Sequence, residues 1–188
     1  MKNIEISCGI DEVGRGSLAG PLVVACVSFK SYEKIPLGIV DSKKTTSKQR
    51  QLLFKSIKKK AYISYSLISS RVIDRIGINQ ATCLGFDTVL KNNKNKIAIA
   101  LLDGNIQPNL NIKFRNIIKG DRNYVSIAAA SIIAKYIRDK FMKNLGKNFQ
   151  NYGWNKNVGY GTIEHLNAIQ KYGITKYHRK TYNPIKKY

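Results

Sequence analysis

The chain has 188 residues, the size of one domain with a substantial buried core. Its 33 Lys and Arg against 11 Asp and Glu leave a formal charge of +22, far more than solubility requires, which points to a polyanionic partner such as nucleic acid. The longest apolar stretch, PLVVACVSF, is far short of a bilayer span, and the N-terminus lacks a leader pattern. Cys8, Cys26 and Cys83 have no CxxC spacing, which speaks against a disulfide framework or a zinc site, so a soluble cytoplasmic protein with no membrane partner is expected.

Residues 4–13 and 21–29 are apolar and β-branched and flank the glycine-rich turn GRGSLAG, which predicts two antiparallel strands. After the polar DSKKTTSKQR, Ser47 is expected to cap a helix carrying Leu52, Leu53, Phe54 and Ile57. The alternation in AYISYSLIS predicts a third strand, and INQATCLGFDTVLKNN a helix. IAIALLDGN reads as a strand buried on both faces, and 110–118 as a further strand ending at KGD. SIAAASIIAKYIRDKFMKNL is the clearest helix, and a shorter one is expected around EHLNAIQKYG. Strands first, then helices alternating with strands, imply an α/β or α+β sheet flanked by helices.

In this layout four of the few acids fall where a strand gives way to a loop: Asp11 and Glu12 after the first apolar run, Asp103 after IAIALL, and Asp121 in KGD. Polar groups at such ends can converge on one edge of a sheet. Clustered carboxylates raise each other's pKa unless a cation intervenes, and carboxylates without nearby Cys or His pairs favour Mg2+ or Mn2+ over zinc. Two such ions can clamp an in-line phosphoryl displacement, so the acids and the basic surface together suggest phosphodiester hydrolysis. A basic binder without catalysis would gain nothing from acids that repel the phosphate backbone. Since neighbouring residues on a regular strand face opposite ways, ligation by both Asp11 and Glu12 implies that the strand ends or bulges at Asp11.

The segment GIDEVGRGSLAGPLVVA closely resembles the signature of type 2 ribonucleases H, the ribonuclease HII family of bacterial type. DSKK at 41–44, INQAT at 78–82, LLDGN at 101–105, KGD at 119–121, IAAASIIAKYIRD at 127–139, GYGT at 159–162 and YHRKTYNP at 177–184 extend the likeness in the same order. The resemblance implies a ribonuclease H-like α/β fold, a central mixed five-stranded sheet flanked by helices, as a single catalytic domain over 1–188. Its C-terminal helical extension, 145–188, would contribute to substrate binding. It further implies a monomeric endonuclease that cuts the RNA strand of RNA/DNA hybrids. The same enzyme would nick DNA 5′ of single embedded ribonucleotides, leaving 3′-hydroxyl and 5′-phosphate ends.

Carried onto this chain, the catalytic and metal-binding residues would be Asp11, Glu12, Asp103 and Asp121, holding Mg2+ or Mn2+. Gly14, Arg15, Gly16, Lys43, Lys44 and Tyr160 would contact substrate. Telling RNA from DNA requires reading the 2′-hydroxyl, and glycines let a backbone approach that sugar closely. Tyr160 would stack on the following deoxyribose, and the two lysines would contact phosphates. Asp139, the nearest competitor for the fourth ligand, is expected from its place inside the long helix to form an ion pair or a cap, and His165 and His178 to be structural or phosphate-contacting. Departures from the family pattern are Ser17 in place of Pro, Thr45 in place of Leu, and a short Asn-rich stretch at 104–118.

Overall fold

The computed structural model describes residues 7–31, 35–39, 45–93 and 97–188. Five strands, β1 (Ser7–Val13), β2 (Leu22–Phe29), β3 (Ala61–Ile68), β4 (Ile99–Asp103) and β5 (Lys113–Ile117), form one sheet in the order β3-β2-β1-β4-β5. The first three pair antiparallel, whereas β1–β4 and β4–β5 pair parallel, so the sheet is mixed. The helices are α1 (Ser47–Lys60), α2 (Ser70–Lys91), α3 (Gly120–Asn123), α4 (Val125–Asn148), α5 (Trp154–Asn157) and α6 (Ile163–Tyr172).

The alternation of β1 and β2 divides the core into two layers. Cys8, Ile10, Leu22, Val24 and Cys26 face α2, where they meet Ile73, Ala81, Phe86 and Val89. Val23, Ala25, Val27 and Phe29 face α4 and α1, against Ala129, Ala130, Ile132, Ile133 and Ile57. The alanines let α4 lie close on the sheet, and at Gly9 a Cβ would come within 2.2 Å of the Ile127 backbone nitrogen. A third cluster joins the C-terminal residues to the body: Tyr152, Trp154, Ala168, Ile169 and Ile185 pack with Leu18, Ala19 and Met142.

Several boundaries differ from expectation for local reasons. The cap of α1 is Thr46, whose side chain accepts from the Gln49 N–H while the Gln49 side chain accepts from the Thr46 N–H, a reciprocal pair that Ser47 cannot make one residue later. Helix α2 begins eight residues before INQAT, capped by Ser69, and bends at Gly77, whose φ of 77° leaves the helical region. Strand β4 is not buried on both faces: Ala100 and Leu102 are buried, but Ile99, Leu101 and Asp103 are only half-buried. The strand expected over 110–118 is confined to Lys113–Ile117, at the sheet edge.

Replacing Gly9 with Ala is expected to lower the unfolding free energy by about 3 kcal/mol, because the new methyl meets backbone rather than a flexible side chain. Urea denaturation checks this, and a loss below about 0.5 kcal/mol would show that α4 can shift freely on β1.

Candidate active site at the split between two parallel strands

The β1–β2 ladder runs in register from Gly9↔Val27 to Val13↔Val23, so the strand neither ends nor bulges at Asp11, contrary to expectation. The opening lies on the other side of β1. Its parallel pairing with β4 reaches Ile10↔Leu102, while β4 continues beside β5 to Asp103↔Ile117. One residue past the last β1–β4 pair stand Asp11 and Asp103, at the carboxyl ends of two parallel strands, where α/β sheets place their ligands. Asp11 falls on the α4 side of β1, and Glu12 on the α2 side. The rim of the split therefore carries carboxylates from both faces without any distortion of the strand.

Each acid is held by groups from a different element. Asp11 is buried; its Oδ1 accepts the Glu12 N–H at 2.7 Å, and Ser131 of α4 donates a second hydrogen bond. Glu12 Oε1 lies 3.7 Å from Arg15 Nε, and its Oε2 is buried without a hydrogen-bond partner. Asp103 Oδ1 accepts the Gly120 N–H at 2.8 Å, which ties β4 to the first turn of α3, where Asp121 sits. Burial, the Glu12 charge and the Asp103 charge together hold the Asp11 carboxyl well above the usual range. Glu12 is pushed up to about 7 by burial and by Asp103, against the opposing pull of Arg15. Asp11, Glu12 and Asp103 thus feel one another's charge. Among the described residues, no three Asp, Glu, His or Cys side chains are already gathered into a ligating cluster.

The turn after β1 forms the next part of the site. Gly14 has φ 98°, and a Cβ there would lie 2.2 Å from Arg138 Nε, so both its conformation and its neighbour require glycine. Gly16 opens onto free space. The Arg15 guanidinium turns toward α2, donating to Thr82 Oγ1 at 2.7 Å and Asn79 Oδ1 at 2.8 Å, which are residues of the INQAT segment. Two buried arginines fasten this turn to the C-terminal residues. Arg138 donates to the carbonyls of Pro21, Ala19 and Val158, and Arg179 to those of Arg15 and Gly20. The Leu18 and Ala19 N–H groups both donate to the Gly159 carbonyl. Arg138 also lies 5.4 Å from the centroid of the Tyr160 ring, which is 37% exposed. Gly14 and Tyr160, far apart in sequence, therefore share one side chain.

The remaining expectations resolve as follows. Asp139 pairs with Lys135 at 2.7 Å and Arg50 at 3.4 Å, as an ion pair inside α4. His165 and His178 are buried against Trp154 and each other. Ser17 is buried, with its hydroxyl lacking a partner and its N–H reaching Gly14 O only at 3.4 Å. Lys43 and Lys44 lie outside the described residues. Arg138, Arg179 and Ser131 carry structural duties that sequence reasoning did not assign. The available signal was a charged residue in the Ala-rich run of α4 and another in YHRKTYNP.

A family model described as "Ribonuclease HII" matches residues 8–185. The ribonuclease HII of Pelagibacter ubique is 47% identical over 97% of this chain and 98% of its own length. That of Mycoplasma capricolum is 50% identical over 98% of this chain and 90% of its own. Among solved structures, the ribonuclease HII of Archaeoglobus fulgidus, determined as a PCNA complex, superposes with a TM-score of 0.83 at 26% identity, covering 95% of each chain. Among the described residues no helix is long and apolar enough to cross a membrane. The fold with its mixed five-stranded sheet, the full-length match and the motif order agree: this chain belongs to the ribonuclease HII family and is an endoribonuclease of the ribonuclease H type.

Proposed function

We propose that this endoribonuclease uses divalent cations to hydrolyse the RNA strand of RNA/DNA hybrids and to nick DNA on the 5′ side of a single embedded ribonucleotide, leaving 3′-hydroxyl and 5′-phosphate ends. The observation that carries the reading is the placement of Asp11 and Asp103 one residue past the last β1–β4 pair, with Glu12 beside them, where the Asp103 charge raises both neighbouring carboxyls. The donor set fits Mg2+ or Mn2+: it is all oxygen, Glu12 Oε2 is buried without a partner, and the proximity of the carboxylates is unfavourable until a cation neutralises it. When bound, two such ions would supply water activation and stabilisation of the departing 3′ oxygen.

The chain's own residues prepare that chemistry. Glu12 N–H and Ser131 orient the Asp11 carboxylate, Arg15 pairs with Glu12 on the α2 side, and the Gly120 N–H fixes Asp103 while bringing Asp121, the proposed fourth ligand, onto the adjacent turn. The open space over Gly16 admits a sugar to the backbone of the Gly14-Arg15-Gly16 turn, and Tyr160 presents its ring beside the same turn for stacking on the next deoxyribose. Lys43 and Lys44 are proposed phosphate contacts, and residues 145–188 are proposed to serve the single domain as a substrate-binding extension. The enzyme is proposed to act as a cytoplasmic monomer.

The direct test is incubation with Mg2+ or Mn2+ and a duplex containing one ribonucleotide, with the cut mapped. Cleavage 5′ of the ribonucleotide is expected; cleavage within plain DNA, or none with either ion, would overturn the reading. Asp11→Asn or Asp103→Asn should lower turnover at least about 1000-fold while substrate binding persists, since several kcal/mol of transition-state stabilisation is lost. Near-wild-type turnover in either variant would remove these residues from the site. Tyr160→Ala should slow cleavage at the lone ribonucleotide more than on a long hybrid, and equal effects on both would refute a junction-sensing role.

Protonation gives an independent handle. Because the Glu12 pKa in the folded state, about 7, exceeds its ordinary 4.5, the unfolded chain loses this proton first as pH rises. The cation-free protein therefore loses stability between about pH 4.5 and 7, and the loss persists above that. Glu12→Gln should stabilise it at pH 8 by about 3 kcal/mol and have little effect below pH 4.5. Denaturant titrations with a chelator present check both limbs, and a destabilised variant at pH 8 would contradict the assigned environment.

A further inference from the structure

Beneath Tyr160 lies a chain of buried aromatic nitrogens that the reaction itself does not use. Trp154 Nε1 can only donate, and it does so to His165 Nε2 at 3.0 Å. That nitrogen therefore carries no proton, and a neutral His165 must hold its proton on Nδ1, which lies 2.9 Å from the Tyr160 carbonyl oxygen, a pure acceptor. On the other side, His178 Nδ1 accepts the Thr175 N–H at 2.8 Å, which leaves the His178 proton on Nε2, 3.1 Å from His165 Nε2. Trp154 and His178 thus share the single lone pair of His165 Nε2, and a proton on that nitrogen would turn both donors against another donor. Burial lowers the pKa of His165, and burial together with the His165 imidazole pushes His178 down to about 4, so both rings are neutral at neutral pH.

We propose that this Trp154–His178–His165 network makes His165 a positioning residue for substrate discrimination, fixing through its Nδ1–H the backbone that aims the Tyr160 ring. The inference rests on the sugar-facing role proposed for Tyr160. Tyr160 lies in the turn between α5 and α6, with its ring exposed. The turn is tied on one side by Arg138 donating to Val158 and by the Gly159 N–H donating to Asn157 Oδ1. On the other side His165 reaches back from the first turn of α6 to the Tyr160 carbonyl. Trp154 and His178 together orient the imidazole and hold its proton on the nitrogen that faces Tyr160. Buried hydrogen bonds of this kind specify one geometry because any other leaves a donor unpaired.

The experiment compares His165→Asn, whose amide can replace the Nδ1–H donor, with His165→Gln, whose amide reaches the Nε2 position instead. The readout is the ratio of kcat/KM on a one-ribonucleotide duplex to that on a long hybrid, with Tyr160→Ala alongside. The ratio should fall about tenfold in His165→Gln, the scale of one buried hydrogen bond, and stay within about twofold of wild type in His165→Asn. Equal ratios in both variants, whether both fallen or both unchanged, would overturn the positioning role. An unchanged ratio in Tyr160→Ala would instead overturn the Tyr160 reading beneath it. Nitrogen-15 NMR of the wild-type imidazoles at pH 7 tests the same geometry without any substitution. It should find His165 protonated on Nδ1 and His178 on Nε2, and a proton on His165 Nε2 would overturn the inference.

Discussion

The proposed site depends on the crowding of Asp11, Glu12 and Asp103 at the split between β1 and β4, where burial of Asp11 and half-burial of the other two leave their charges only partly screened by water. Burial and like charge both raise the carboxyl pKa values, and Arg15 offsets only part of this at Glu12. A protein tolerates such an arrangement at a functional site, where a ligand can relieve it. The sheet supplies the place: β1 stays fully paired to β2, so the strand is rigid, while β4 leaves it one residue before the acids. The strand need not distort, because a rim is accessible from both faces of the sheet.

A second constraint concerns the turn between β1 and β2. It carries three glycines, one of them at φ 98°, and in isolation would sample many conformations. Arg138 and Arg179 remove that freedom by donating to four of its carbonyls, those of Arg15, Ala19, Gly20 and Pro21, and the Gly159 carbonyl accepts two of its N–H groups. Guanidinium suits this work because its donors are planar and fixed in a fork, so one side chain sets several carbonyls at once. The same clamp places the Tyr160 turn against the Gly14-Arg15-Gly16 turn, so the two proposed sugar-reading elements are held side by side. The +22 charge, by contrast, acts at long range on a polyanion and needs no such precision.

Much of this was legible in the sequence because it depended on local signals. The apolar, β-branched runs on either side of GRGSLAG located β1 and β2, and the expected change from strand to loop singled out Asp11, Asp103 and Asp121, although β1 runs on past Asp11 to Val13. What could not be read depended on long-range contact. The split between β1 and β4 is a property of pairing register, and no pattern in either strand announces where two strands part. The destination of Arg138 was hidden for the same reason: in sequence it is one more charge at the polar end of a helix, whereas in space it is buried beneath carbonyls from residues 19, 21 and 158. The α1 cap is the local exception: Thr46, not Ser47, has Gln49 three positions ahead to complete the reciprocal pair.

The proposed activity requires the split between β1 and β4 to be a divalent-cation site. Its most direct measurement is a crystal structure of the protein soaked in Mn2+, read by anomalous scattering. Manganese should be bound by the carboxylate oxygens of Asp11, Glu12 and Asp103, at about 2.1 Å as for Mg2+. Manganese bound only elsewhere, in a protein that cleaves its substrate with that ion, would contradict it.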